Sequence, residues 1–279
     1  MQIGLFAFST DYSMPIDQLA MGAEERGFDS IWLPEHTHIP ASRETPYPGG
    51  GELPKEYAHT LDPFVALGIA AGVTRELKLA TGVCLAIEHQ AITLAKTVAT
   101  LDHVSHGRVI LGLGAGWNRE EMENHGTEYS SRFRKLEEQM HALKALWTQA
   151  NASFDGEFER FEHVWSYPKP AQLPHPPMVL GGETIHTLRR IVRVGNGWLP
   201  RVVDVEAVLD GLVTLDRLAE EAGRDPATIS VSPFAPPPRD EVIARFRDTR
   251  VERVILMLPP EERDDTLRRM DRYAAFIKR

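Results

Sequence analysis

Three stretches of this sequence carry groups suited to chemistry. The first is WLPEHTHIP, which places Glu35, His36 and His38 together. Imidazole titrates near neutral pH, so His36 is a candidate general acid or base, with a structural histidine as the competing reading. Glu35 beside it either orients His36 or braces the loop. His36 and His38 also spell a His-x-His pair, a possible start to a metal site. Further ligands would have to follow later strands. His89 and His186 are the only histidines so placed, whereas His103, His106 and His141 fall on or near helices. No metal is therefore expected.

The second stretch is VILGLGAGWN, where Gly112, Gly114 and Gly116 alternate. A dinucleotide fingerprint would need glycine at 117 or 119, which are Trp117 and Arg119, and the Gly-Lys-Ser/Thr ending of a P-loop is missing. The physics still allows an anion. Glycines let backbone N–H groups turn inward, and a helix starting near Arg119 adds its positive end. Tight packing at a strand end explains Gly112 and Gly114 equally well. The third stretch, VLGGETIHTLRR, repeats the arrangement: Gly181, Gly182 and Glu183, then Thr184 as a helix cap. Two such turns favour a phosphate-bearing ligand more than either alone.

Positioning these groups falls to an alternation of short apolar runs and helical patterns. Strands are expected at 2–8, 28–34, 77–86, 108–114, 177–182, 197–201, 227–233 and 251–259. Helices are expected between them, except for a Pro-rich loop after the seventh strand, with a long amphipathic helix through Phe133, Leu136, Met140, Leu143 and Trp147, and a closing one through Leu267 and Ile277. Eight β-then-α units imply right-handed crossovers and a parallel sheet closed into a (β/α)8 TIM barrel, preferred to an open doubly wound sheet. The chain reads as one domain spanning 1–279. It carries an extended loop after strand 2, about 34–60, and an insert at about 151–176 with a small hairpin in FDGEFERFE. In such a barrel the site lies at the C-terminal strand ends, where all three stretches fall. The glycine- and proline-rich ETPYPGGGELP within 37–59 suits a lid or a disordered loop.

Composition sets the outer bounds. With 279 residues, 42% hydrophobic and 25% charged, the chain is of ordinary globular type. A net charge of −9 argues against nucleic acid and anionic membrane surfaces as partners. No run of about 18 apolar residues suggests a membrane span. The N-terminus reads as a first strand and not as a signal peptide. The single cysteine, Cys84, fits a reducing cytosol, so a cytoplasmic location is expected.

Six stretches, in order, carry a resemblance: ERGFDSIWLPEH, LDPFVALGIAAGVT, LKLATGVCLA, AKTVATLDHVSHGRVILGLGAGWNREEMENHG, YPKPAQLPHPPMVLGGE and GNGWLP. Covering most of residues 1–200, they resemble the luciferase-like monooxygenase superfamily, and within it the coenzyme F420-dependent class. The resemblance implies a TIM barrel with deazaflavin or flavin at the strand C-termini and hydride transfer to or from a small organic substrate. It implies an active-site role for His36 beside the ring. It places a non-prolyl cis peptide at Gly82–Val83, behind the ring. It assigns phosphate and side-chain contacts of the cofactor to Gly114, Ala115, Gly116, Trp117 and Asn118, and to Gly181, Gly182, Glu183 and Thr184. It also implies a homodimer. The alternative within the same fold is a monooxygenase using reduced FMN and oxygen, with a reductase supplying the reduced cofactor. Trp117 stands where some sugar-phosphate dehydrogenases of this class carry a carboxylate, which argues against a sugar-phosphate substrate.

Overall fold

The computed structural model describes residues 1–277. Along the chain it contains β1 (Gln2–Ala7), α1 (Ile16–Glu25), β2 (Ser30–Leu33), α2 (Glu56–His59), α3 (Pro63–Val73), β3 (Lys78–Thr81), α4 (Ala91–Val104) and β4 (Val109–Leu113). Then come α5 (Arg119–Asn124), α6 (Arg132–Thr148), β5 (Ala152–Asp155), β6 (Arg160–Val164), β7 (Met178–Gly181), α7 (Ile185–Val194) and β8 (Gly197–Leu199). The series ends with α8 (Val205–Glu221), β9 (Ser230–Val231), α9 (Asp240–Arg247), β10 (Arg253–Leu258) and α10 (Arg263–Ala274).

Eight strands form one parallel sheet in the order β10-β1-β2-β3-β4-β7-β8-β9. Between β9 and β10 the ring closes through a parallel bridge from Phe234 to Ile255, with Ile255 N–H donating to Pro233 O and Ala235 N–H to Ile255 O. The sheet is thus the expected (β/α)8 barrel. The antiparallel β5–β6 pair lies outside it, in the expected insert after α6.

Alternation along the strands sorts side chains into two layers. On β1, Ile3, Leu5 and Ala7 face the helices, while Phe6 and Phe8 point inward with Trp32, Ala80, Ile110, Val179, Leu199 and Ile255. The inner filling includes one indole, whose N–H donates to Ser30 Oγ at 2.8 Å. That bond removes the cost of burying a polar tip.

At the N-terminal end of the barrel, the Arg253 side chain is only 2% exposed and its Nε lies 2.8 Å from Asp29. A cleft of about 670 Å³ opens there, lined by Lys78, Arg108, Arg250 and Arg253. These cations are already engaged, Arg250 on Asp216 and Arg108 on the carbonyls of Ala71, Thr74 and Leu77. They close the barrel floor, at the opposite end from His36.

Two elements depart from the sequence expectation. The seventh barrel strand shrinks to Ser230–Val231, because Pro226 starts a 3-10 turn before it and Pro233, which lacks an N–H, follows it. The loop after it leads into α9, whose apolar residues Val242, Ile243 and Phe246 are too few to signal a helix from periodicity.

Candidate active site

His36, Gly82–Val83, the Gly114–Asn118 turn and Gly181–Thr184 follow β2, β3, β4 and β7. These four strands are consecutive neighbours in the sheet, so the four segments share one arc of the barrel mouth. The Gly82–Val83 peptide bond is cis, as the resemblance implies. The Val83 side chain occupies the middle of the arc. A Cβ at Gly114 would meet Val83 Cγ2 at 2.6 Å, and one at Gly181 would lie 3.6 Å from Val83 Cγ1. Two residues before Gly114, a Cβ at Gly112 would sit 2.0 Å from Thr81 O, where the backbones of β3 and β4 close up. Close approach of neighbouring groups therefore accounts for both glycines. Gly112 serves packing, and Gly114 leaves space over Val83.

The turn continues through buried Ala115 and Gly116, whose φ of +65° favours glycine, to Trp117 and Asn118. Asn118 stands at the N-cap of α5, yet its side chain caps no helix N–H. Its Oδ1 and Nδ2 are both buried without a hydrogen-bond partner. Buried amides are nearly always paired, so an orphaned one at this turn marks a place for a polar ligand group. On the β7 side, Gly182 takes φ +118°, Thr184 Oγ1 accepts from Thr187 N–H to cap α7, and Glu183 accepts from Arg201 N–H at 2.9 Å. Thr184 is thus the helix cap read from sequence. Glu183 is exposed and turned toward Arg201.

Glu35 and His36 diverge because neighbouring residues at a strand end point to opposite sides. The Glu35 carboxylate is buried and does not touch His36. It accepts from Leu85 N–H at 2.6 Å and lies 2.8 Å from His89 Nε2. Burial alone would raise the Glu35 carboxyl, but its bonds with His89, Leu85 N–H and the Cys84 thiol outweigh that and hold it below the usual range. The same contact raises His89 against the opposing effect of burial, so the pair is ionic. Of the two roles left open for Glu35, the structure shows the brace. It ties the end of β2 to the segment after β3. The Glu35, Cys84 and His89 ligand-type atoms lie within 4.8 Å of one another, and these hydrogen bonds satisfy them.

The partner of His36 is Glu121, in the first turn of α5 and 1% exposed. Its carboxylate lies 2.8 and 3.1 Å from His36 Nδ1. With Nδ1 so engaged, Nε2 is the ring atom left for a substrate. His38 does not join His36. Its Nδ1 meets Thr37 Oγ1 and its Nε2 accepts from Asn124 Nδ2.

A roof covers His36. The Tyr57 ring of α2 lies 5.1 Å from the imidazole and the Trp117 ring 6.0 Å away, edge-on. Tyr47 packs 5.3 Å from Tyr57 and 6.0 Å from Trp117, and the two tyrosine hydroxyls are 3.3 Å apart. Burial, with the Tyr47 hydroxyl beside it, raises the Tyr57 phenol above its ordinary value. The lid carrying both tyrosines is pinned by Glu120, whose carboxylate accepts from the N–H groups of Glu44 and Thr45 at 2.9 and 3.1 Å. Although burial opposes it, bonding from Thr45 and Glu44 takes the Glu120 carboxyl down to about 2. The sequence reading missed Glu121, Glu120, Tyr47 and Tyr57. The acidic run REEMEN looks like a solvated helix start, and the tyrosines sit in a loop without periodicity.

A parallel eight-stranded barrel whose candidate site lies at the C-terminal strand ends is the architecture of the TIM-barrel enzymes. The chain belongs to the luciferase-like monooxygenase family, whose sequence profile matches residues 7–276. An uncharacterized protein of Mycobacterium tuberculosis is 41% identical over 99% of both chains. The F420-dependent hydroxymycolic acid dehydrogenase of the same species is 29% identical over 82% of this chain and 61% of its own. The FMNH(2)-dependent dimethylsulfone monooxygenase of Pseudomonas putida is 36% identical over 41% of this chain and 32% of its own. Among solved structures, monooxygenase RslO1 from Streptomyces bottropensis superposes with TM-score 0.79, 21% identity, 100% of this chain and 99% of that one. An F420-dependent secondary alcohol dehydrogenase superposes with TM-score 0.78, 18% identity, 99% of this chain and 98% of that one. At these identities the two structures show the shared fold. Among the described residues no helix is long and apolar enough to cross a membrane.

Proposed function

We propose that this protein is an F420-dependent oxidoreductase that transfers a hydride between the deazaflavin and a small organic substrate. The observation that carries the reading is the His36–Glu121 pair beneath the aromatic roof. Moving a hydride to a carbonyl carbon requires a proton at the oxygen, and moving it back requires a base there. When bound, the deazaflavin supplies the hydride.

Every other part is supplied by the chain. Glu121 holds His36 Nδ1, so Nε2 donates a proton to the substrate oxygen or takes one from it. Val83 and the space over Gly114 form a shelf for the ring, and the orphaned Asn118 amide, the backbone of Gly114–Gly116 and Gly182 would bond the polar tail. Tyr47, Tyr57 and Trp117 exclude water and favour an apolar body next to the reacting oxygen. Relatives named as F420-dependent align over 65% to 82% of this chain, and those named as FMNH(2)-dependent over 41% to 55%.

The FMN relative and the monooxygenase neighbour support a second reading, in which reduced FMN from a partner reductase reacts with oxygen. Titrating the cofactor-free protein with F420 and with FMN separates the two. Saturable F420 binding and thermal protection by F420 are expected. FMN binding without F420 binding overturns the reading.

A homodimer is part of the same proposal. Val65, Ile69 and Val73 on α3 are exposed, and Gly68 and Gly72 on that helix have open space around them, which suits a helix covered by a second copy. Light scattering that gives the monomer mass at working concentration would remove it.

A further inference from the structure

We infer that the substrate is an aryl ketone, or the matching aryl alcohol, whose ring is held by Phe8, Phe234 and Tyr57 while its oxygen meets His36. The inference rests on the oxidoreductase reading and names the substrate class of that site.

The segments assigned to the cofactor follow β2, β3, β4 and β7, which leaves the half of the mouth over β8, β9, β10 and β1. Phe8 stands one residue past β1, and Phe234 follows β9 at the bridge that closes the ring. Counted either way round the closed sheet, β9 lies four strands from β3. Phe234 therefore stands across the mouth from Val83. Phe8, Phe234 and Tyr57 are joined by ring contacts. Phe8 and Phe234 both meet Phe6 edge-on, with centroids 5.4 and 4.7 Å away. Phe8 lies 4.8 Å from the Tyr57 ring, which in turn lies 5.1 Å from His36. An unbroken run of rings thus leads from the closing bridge to the imidazole. Phe8 is buried, whereas Phe234, Tyr57 and Val83 are partly exposed and rest together on the inner barrel filling. They form an apolar basin in front of His36, under the Tyr47 and Trp117 roof.

Polar groups on this wall are already engaged. Tyr57 O–H donates to Tyr47 Oη at 3.3 Å, and Arg201, just after β8, is turned to Glu183, 3.9 Å away. His36 Nε2 can serve one carbonyl oxygen. A polyol would bury its remaining hydroxyls unpaired, at a cost in binding. An aromatic ring gains more here than a saturated one, because edge-to-face and offset contacts with the wall add to the burial of area. Reduction places the hydride of the reduced deazaflavin on the carbonyl carbon and a proton from His36 Nε2 on the oxygen, and solvent returns that proton to His36. Oxidation of the aryl alcohol is the reverse.

The test uses protein saturated with oxidised F420, which has no hydride to give a ketone, so binding is read without turnover. The probes are acetylnaphthalene and its ring-saturated counterpart, acetyldecalin. The saturated compound is the more hydrophobic, so burial alone would favour it. Ligand-observed NMR titrations of the wild type should give acetylnaphthalene a Kd lower by about threefold or more. In Phe234→Leu the two Kd values should approach each other, with F420 affinity within about twofold of wild type, because Phe234 lies outside the cofactor arc. Equal or tighter binding of acetyldecalin by the wild type, no binding of either ketone, or an unchanged preference in Phe234→Leu overturns the inference. Protein that takes FMN and no F420 would count against the oxidoreductase reading instead, and the same pair of titrations on the FMN-loaded protein still decides the ring preference.

Discussion

His36 Nδ1 and the Glu121 carboxylate meet at 2.8 Å although the two residues lie 85 positions apart in the chain. The strand end after β2 and the first turn of α5 are brought together by β3 and β4, which stand between them in chain order and in the sheet. Both partners are nearly removed from water, at 7% and 1% exposure, so the pair is held in one orientation. Replacing His36 by Ala should lower turnover by about 10²–10⁴-fold while cofactor affinity changes little. Glu121→Gln should lower turnover by about 10²-fold with KM nearly unchanged, since it loses the orienting charge and keeps the shape. Steady-state kinetics with reduced F420 would check both, and unchanged turnover in His36→Ala would remove its catalytic role.

Gly114 offers a test of the ring shelf. A Cβ there would press on Val83 Cγ2 at 2.6 Å. Gly114→Ala should cost about 1–3 kcal/mol in chemical denaturation and weaken cofactor binding in the same variant. Wild-type affinity would mean that the ring does not rest on Val83.

The lid is expected to depend on Glu120. Its carboxylate bonds the Glu44 and Thr45 amides, so Glu120→Ala should speed hydrogen exchange at those two amides and proteolytic cutting within 41–55. Global stability should change little, because the bonds lie in a surface loop. Equal exchange in both proteins would show that the roof tyrosines hold the lid unaided.

Glu88 gives a signed pH dependence. Its carboxyl sits at about 9 in the folded protein against an ordinary 4.5. Below 4.5 both states carry the proton and its contribution is fully present. Between 4.5 and about 9 the unfolded chain ionises first, so stability falls as pH rises, and above about 9 the loss is complete. Glu88→Gln, which mimics the protonated form, should flatten that fall. Denaturation midpoints at pH 5.5 and pH 8.5 would measure it, and parallel losses in both proteins would contradict it.

Arg253 tests the barrel floor. It is buried against Asp29 and also contacts Glu252. Arg253→Met should cost about 3 kcal/mol, because it leaves Asp29 largely buried with only Lys78, 3.4 Å away, as its remaining cation. Activity per folded molecule should be unaffected, since the residue lies at the far end from His36.

Much of the barrel was legible in one dimension because strand and helix impose periods on apolar residues. QIGLFAF and RVILGLG alternate or run apolar at strand length, and the six family stretches marked the mouth. Gly82–Val83 and the turn after β4 were placed by those motifs. The seventh strand was read from sequence and proved shorter than expected, whereas the helix α9 was missed because it carries too few apolar positions to show a period.

The sequence by itself determined the fold class, the family, and the place of His36 at the end of the second strand. It did so because hydrophobic period and local backbone demand are written over a few neighbouring residues. Only the tertiary structure decided the partners. Glu35, adjacent to His36, points to Leu85 and His89, while Glu121, 85 residues away, holds the imidazole. Pairing of side chains depends on which way each strand end faces and on which loops the closed sheet brings together. No spacing along the chain encodes that, so the acidic turn that looks solvated in REEMEN became the buried half of the site.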